Sequence, residues 1–355
     1  MRPDGVPPLR LIAWEVTRSC NLACKHCRAE AHTEPYPGEF SAEEAKALID
    51  TFLETGSPII IFTGGEPLMR PDIFELAAYA RSKGLRSVMA LNGTLLTPEI
   101  ARKIRESGIA RCSISIDGPE SASHDAFRGV PGAFEAALRG IECLKAAGVE
   151  FQLNTTVTRS NLGNFKDIFR LADRLGAVAW HIFLLVPMGR AANLAEEVIS
   201  AKEYEDVLNW FYDFRKTTTM HLKATCAPHY YRIMRQRARA EGLSVTPETF
   251  GMDAMTRGCL GGTGFCFISH TGQVQPCGYL ELDCGNVRDT SFPEIWRSSR
   301  HFLEFRNPAD YAGKCGVCEY HKVCGGCRAR AYSLTGNALA EEPLCTYTPR
   351  KEEKA

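Results

Sequence analysis

Cys20, Cys24 and Cys27 form a C-x3-C-x2-C run directly after a short apolar stretch, Leu11–Val16, that reads as a first strand. Three thiolates from one loop hold three irons of a [4Fe–4S] cube and leave the fourth iron without a protein ligand. An iron with an open position is a place to bind and reduce a small molecule. The competing chemistry is zinc, which takes four ligands in a structural site, with His26 or His32 as the fourth. A second array follows in the C-terminal half: Cys259, Cys266 and Cys277, then Cys315-x2-Cys318-x5-Cys324-x2-Cys327, then Cys345. These eight thiols suffice for two cubes of four. They would also serve a pair of zinc ribbons, which C-x2-C pairs fit as well.

Four cysteines remain outside these runs. Cys112 and Cys143 sit beside apolar neighbours and read as small buried hydrophobes, and Cys284 carries no assignment. Cys226 falls in Thr225-Cys226-Ala227-Pro228-His229-Tyr230-Tyr231-Arg232, where a thiol, an imidazole, two phenols and a guanidinium crowd into eight residues. Cys226, His229 and Arg232 are therefore candidates for substrate contact. The blander reading is an ordinary amphipathic helix start after Pro228.

The elements that must position these groups divide the chain in two. From Leu11 to about Leu185, β-rich runs alternate with amphipathic helical stretches of the length a βαβ crossover needs. Strands are predicted at 11–16, 59–62, 86–91, 112–116, 151–157 and 179–185. The helix near 42–55 opens on Ser41 with Glu44 three positions on, a capping box. Thr97-Pro98 opens the helix of about 98–107, and Gly84, Gly108 and Gly148 stand where helices should stop. Six β-α units imply a parallel sheet with right-handed crossovers. Periodicity leaves an open doubly wound sheet and a partial barrel both standing. Farther on, 265–269 and 273–275 read as a short strand–turn unit around His270-Thr271-Gly272.

Composition narrows the class. The 355 residues carry 42 basic and 42 acidic side chains, a balance that argues against electrostatic capture of nucleic acid or anionic membrane. No apolar run approaches the roughly 20 residues that cross a bilayer, and the start lacks a signal-peptide core. Fifteen cysteines without an export signal suit a reducing compartment, with the cytoplasm as the expected address and metal ligation as the leading use.

The C-x3-C-x2-C loop after a first strand resembles the signature of the radical S-adenosylmethionine (SAM) enzymes. Thr63-Gly64-Gly65-Glu66-Pro67, after the second strand, matches that family's Gly-Gly-Glu-Pro motif, which binds the amino group of the SAM methionine. Its glycines would let backbone carbonyls approach the ligand, and Glu66 would offer charge. Asn92 after strand three, with Ser115 and Asp117 after strand four, match positions lining the SAM pocket, while Asn154, Thr156 and Val186 match its walls. The C-terminal array looks like the SPASM domain appended to many radical SAM enzymes; twelve residues separate Cys259 from Gly272, as the family pattern allows, whereas Cys324-x2-Cys327 is one residue shorter than usual.

The resemblance implies an α/β fold: a partial (β/α)6 radical SAM barrel with a C-terminal cysteine-rich SPASM domain. The expected organisation is an extension over 1–10, the barrel over 11–220, a bridging segment over 221–258, the auxiliary-cluster domain over 259–347 and a charged tail over 348–355. It further implies one SAM-binding [4Fe–4S] cluster and two auxiliary ones, the first at Cys259, Cys266, Cys277 and Cys327, the second at Cys315, Cys318, Cys324 and Cys345. Residues 14–29, 225–232 and 258–270 together resemble the porphyrin-tailoring group, closest to the heme synthases of the siroheme-dependent route. The reaction implied is oxidative decarboxylation of two propionates of iron-coproporphyrin III to vinyl groups by way of a 5′-deoxyadenosyl radical. The partners implied are the iron porphyrin and a low-potential electron donor such as ferredoxin or flavodoxin. Arg28, Arg128, Arg190 and Arg232 are cations near the expected site loops, and His229 is a candidate ligand to the porphyrin iron. Competing readings are a sister tetrapyrrole enzyme (a didecarboxysiroheme deacetylase or a maker of the nitrite-reductase heme), a SPASM enzyme acting on a peptide, and a non-catalytic electron carrier. The ten residues before Leu11 hold no peptide-recognition appendage, and a carrier would have no use for the Gly64–Pro67 motif.

Overall fold

The computed structural model describes residues 5–350; residues 1–4 of the expected extension and 351–355 of the expected tail lie outside the described residues. The chain runs β1 (Leu9–Thr17), α1 (Ala42–Phe52), β2 (Gly56–Gly64), α2 (Ile73–Ser82), β3 (Ser87–Leu91), α3 (Pro98–Ser107), β4 (Cys112–Ser115), α4 (Ser121–Arg128), α5 (Ala133–Ala146), β5 (Phe151–Val157), α6 (Phe165–Leu175) and β6 (Ala179–Leu184). It continues with α7 (Ala201–Phe214), β7 (His221–Thr225), α8 (His229–Ala240), β8 (Phe265–Ile268) and β9 (Val274–Gln275), followed by short helices. The six predicted strands are all present within two or three residues at each end. Local chemistry explains why. Ser41 Oγ accepts from the Glu44 N–H at 3.2 Å while Glu44 returns a bond to the Ser41 N–H at 2.8 Å, so α1 starts where the capping box says. Thr97 Oγ1 caps α3 at the Ile100 N–H, 3.2 Å away.

All nine strands belong to one sheet, in the order β7-β6-β5-β4-β3-β2-β1-β8-β9. β1 to β8 are parallel to their neighbours and only β9 is antiparallel. Two features exceed the six-unit expectation. The bridging segment opens with a seventh parallel strand, β7, whose Leu222 and Ala224 are buried in the core while Lys223 and Thr225 face the barrel interior. Five residues of alternating polarity after Thr217-Thr218-Thr219 carry too little apolar signal to be read as a strand in isolation. At the other edge, β8 of the C-terminal region pairs with β1, Leu11 opposite Phe265 and Trp14 opposite Ile268.

Strand alternation sorts the side chains. On β1, Ile12 and Trp14 point under the helical layer, where Trp14 packs edge-on against Phe40 and Phe52 with centroids 5.8 and 6.1 Å away. Leu11 and Ala13 point the other way, into the barrel. Trp180 anchors the opposite flank against Phe165 and Phe169. Among the described residues no helix is long and apolar enough to cross a membrane.

Candidate functional site

The parallel strands enclose a cavity of about 660 Å³, lined at its upper end by Cys20, Cys24 and Cys27 from the loop after β1. That loop is held by its own backbone and by two arginines. The Cys20 N–H donates to the His32 carbonyl at 2.8 Å, and Arg190 donates from Nε to the Cys24 carbonyl at 2.8 Å and from Nη1 to the Ala31 carbonyl at 2.9 Å. Arg128 donates to Cys24 Sγ at 3.7 Å and pairs with Asp117 at 2.5 Å. Burial pushes the Cys20 thiol up to about 12, so Cys20 stays protonated until a cationic group takes the proton's place. His26 stacks on Phe127 and His32 on Tyr36, each with centroids 4.2 Å apart. Among the described residues no three His, Cys, Asp or Glu side chains converge closely enough to enclose a single metal ion.

The Gly64-Gly65 pair lines the cavity beside this loop. A Cβ on Gly64 would lie 2.0 Å from the Thr17 carbonyl oxygen, and one on Gly65 would lie 2.3 Å from that of Ser19. The glycines thus let the end of β2 close against the exit of β1, where the Gly65 N–H donates to Thr17 O at 2.9 Å and the Glu66 N–H to Ser19 O at 2.8 Å. Glu66 does not offer its charge to the cavity. It is fully buried, and its carboxylate accepts from the Asn92 N–H at 2.7 Å and the Leu68 N–H at 3.2 Å. Burial raises its pKa to about 7 against the pull of those two bonds. Glu66 and Pro67 brace the loop from behind, and the cavity sees its glycines.

Asn92, Ser115, Asn154 and Thr156 line the cavity as expected. Asp117 does not: it turns inward, accepting from the Thr156 N–H at 2.7 Å and pairing with Arg128. Burial alone would raise the Asp117 pKa, but Arg128, with His26 and His124, holds it below the usual carboxylate range. Val186 packs instead with Leu280 and Phe305 in a small cluster beside the C-terminal region.

The C-terminal thiols fall into two groups. Cys259, Cys277 and Cys327 line the far wall of the large cavity, whereas Cys315, Cys318, Cys324 and Cys345 surround a separate small one. Gly325 and Gly326, at φ +72° and +64°, turn the chain sharply enough for Cys324 to face one group and Cys327 the other. That turn accommodates the short C-x2-C spacing. Cys266 joins neither group, being buried in the core with Cys284 as its nearest thiol. Its neighbours Phe265 and Phe267 face the cavity, so strand parity turns Cys266 away.

Two of the three substrate candidates also move. His229 and Arg232 line the small cavity with the second thiol group, away from the large one. His229 is packed edge-on against Tyr204 at 4.7 Å with neither ring nitrogen hydrogen-bonded, and Arg232 pairs with Glu205 at 2.5 Å. Cys226 alone lines the large cavity. The cations proposed for propionates are engaged as well: Arg28 pairs with Glu15 at 2.7 Å, and Arg128 and Arg190 serve the cysteine loop. The cavity instead presents Lys223 and Arg257, together with Phe183, Phe267 and Phe305. Tyr279, also on its wall, lies among Cys27, Cys226 and Cys277. None of these had a sequence signal beyond alternation on a strand or a place beside a cysteine.

Comparison with known proteins agrees with this arrangement. The radical SAM superfamily matches residues 14–172, and SPASM, an iron–sulfur cluster-binding domain, matches 259–328. The AdoMet-dependent heme synthase of Nitratidesulfovibrio vulgaris is 76% identical over 98% of this chain and 95% of its own length. That of Methanosarcina barkeri is 54% identical over 97% and 98%. The Fe-coproporphyrin III synthase of Methanosarcina barkeri is 35% identical over 97% and 88%. The solved structure of native anSMEcpe with bound AdoMet and Cp18Cys peptide shares the fold at a TM-score of 0.69 and 22% identity, covering 94% of this chain and 93% of that one. An enzyme built around SAM, a SAM-binding [4Fe–4S] cluster and auxiliary iron–sulfur clusters, the chain belongs to the radical SAM superfamily, in its SPASM-bearing branch that includes the AdoMet-dependent heme synthases.

Proposed function

We propose that the protein is a heme synthase that converts two propionates of iron-coproporphyrin III to vinyl groups. The observation that carries this reading is the cavity. One continuous space joins the Cys20–Cys27 loop and Gly64-Gly65 to the Cys259, Cys277 and Cys327 wall, with apolar faces between them and cations among its lining residues. A flat macrocycle with charged arms asks for that combination of aromatic walls and a few placed polar groups. The likeness to named heme synthases, at 76% and 54% identity against 35% for the Fe-coproporphyrin III synthase, favours this substrate over its sisters.

Each conversion removes carbon dioxide, one hydrogen atom and one electron from a propionate, R–CH2–CH2–COO⁻ becoming R–CH=CH2. When bound at Cys20, Cys24 and Cys27, the SAM-binding cluster supplies the electron that splits SAM and so provides the hydrogen-abstracting radical. Asn92 and Ser115 border the SAM position. The Gly64-Gly65 backbone shapes it, and the Glu66 brace fixes the height of that backbone. Phe183 and Phe267 exclude water from the reacting carbon, and Lys223 faces an arm of the porphyrin as an amine with no ion pair among the described residues. The barrel over 11–220, the bridging segment over 221–258 and the domain over 259–347 together make the site. A low-potential donor such as ferredoxin or flavodoxin fits the need for a reductant, and fifteen free thiols suit the cytoplasm.

The test is anaerobic turnover of reconstituted protein with SAM, a reductant and iron-coproporphyrin III, read by mass spectrometry. Protoheme with matching deoxyadenosine is the expected result. Deoxyadenosine with unchanged porphyrin would move the substrate to a sister tetrapyrrole or a peptide, and intact clusters without deoxyadenosine would overturn the assignment.

A further inference from the structure

Cys226 has no role in the barrel chemistry described above, yet its setting is unusual. It is one of two non-glycine residues at positive φ among the described residues, at +54°, where side chains are rarely found. Its carbonyl is clamped from two sides: Arg330 Nη2 and the Tyr204 hydroxyl each donate to it at 2.9 Å. Arg330 and Tyr204 are themselves fully buried, and Arg330 bonds also to the carbonyls of Leu184 and Leu185 at the end of β6. The clamp holds the turn after β7 in a conformation that aims the Cys226 side chain at the far wall of the cavity. There it packs with Cys327 and Cys277 in one cluster. Cys277 in turn neighbours Cys259 and Cys327. Four thiols from four separate chain segments thus converge where sequence spacing supplied three, while the expected fourth, Cys266, faces the opposite side of β8.

We propose that Cys226 is the fourth thiolate of the first auxiliary cluster, with Cys259, Cys277 and Cys327, and that it closes that cluster to direct coordination by substrate. The inference rests on the reading that these thiols hold an iron–sulfur cluster. A [4Fe–4S] cube with four cysteines presents no vacant iron. A porphyrin carboxylate in the cavity would therefore approach this wall without bonding to it. Cys266 becomes a core thiol paired by packing with Cys284.

The experiment uses the full chain carrying Cys20→Ala, Cys24→Ala and Cys27→Ala, which silences the open iron of the SAM cluster. Iron and sulfide content and the electron paramagnetic resonance (EPR) spectrum of the reduced protein are measured with and without cyanide, a probe for a vacant iron. The background protein is expected to hold about eight irons, as two cubes, and to ignore cyanide. Adding Cys226→Ala is expected either to create a cyanide-dependent EPR shift or to remove about four irons. Cys226→Ser, which keeps an oxygen donor, is expected to retain the cluster with altered g values. Cys266→Ala is expected to change neither iron nor spectrum. A background already sensitive to cyanide, Cys226 variants that match it, or equal iron loss on replacing Cys266 would overturn the role of Cys226. A background holding only about four irons would instead overturn the cluster on which it rests.

Discussion

The guanidinium of Arg128 lies 2.5 Å from the Asp117 carboxylate, and its other terminal nitrogen reaches Cys24 Sγ at 3.7 Å. One buried cation therefore links the end of β4 to the SAM-cluster loop. Removing it leaves Asp117 charged in a fully buried place with the Thr156 N–H but no cation beside it. Arg128→Met is expected to lower unfolding stability by about 3–5 kcal/mol and to reduce iron retention at Cys20, Cys24 and Cys27. The double variant Arg128→Met/Asp117→Asn should recover part of the stability without recovering the iron. Thermal unfolding and iron content read the two effects separately; equal recovery of both would argue against the contact with Cys24.

Glu66 makes a prediction about pH. Its folded pKa of about 7 lies above the ordinary 4.5 because burial disfavours the carboxylate. Between those values the folded state holds more protons than the unfolded one, so stability is greatest below about 4.5 and falls as pH rises toward 7. The contribution is at most about 3 kcal/mol. Glu66→Gln should flatten this slope while leaving one of the two N–H donors, Leu68 or Asn92, poorly satisfied. Unfolding midpoints at a series of pH values, without SAM, test the slope.

Gly65 tests the close approach of β2 to β1. With Ser19 O 2.3 Å and Arg18 O 2.4 Å from an added Cβ, Gly65→Ala must push the loop by most of an ångström. A shift of that size beside a reacting centre lowers rate by about 100-fold, which deoxyadenosine formation would show. Gly163→Ala, whose Cβ would meet nothing within 4 Å, is expected to behave as the parent protein does.

Lys223 is the test of how the cavity reads a carboxylate. Burial lowers its pKa, and Asp253 is the charge that opposes the fall. Lys223→Met should weaken iron-coproporphyrin III binding by about tenfold, about 1.4 kcal/mol, for one charge-assisted hydrogen bond, and Lys223→Arg should restore much of it. A Soret titration measures both.

Much of this arrangement could be read in advance because it is written in local chemistry. Ser41 with Glu44, Thr97 with Pro98 and the alternation along 151–157 each specify an element without help from the rest of the chain. The groups that moved were those whose direction depends on distant partners. Cys266 sits at a plausible spacing, but which face of β8 it takes depends on the register of β8 against β1. Asp117 and Glu66 stand in motif positions, yet Arg128 and the Asn92 backbone claim their oxygens. His229 follows Cys226 by three residues, but the start of α8 carries it around to the second thiol group. Lys223 was hidden because β7 is too short and too polar to announce itself.

The pairing of β8 with β1 has a mechanical consequence. The strand that delivers Cys20 and the hairpin that leads to Cys277 share one ladder, so the C-terminal region cannot swing away from the barrel without breaking backbone bonds. The two thiol-bearing walls of the cavity, at Cys20–Cys27 and at Cys259–Cys327, then keep a fixed separation. A barrel cut off before Cys259 would expose Leu11–Trp14 of β1 as a bare sticky edge, ready to pair with a neighbouring chain.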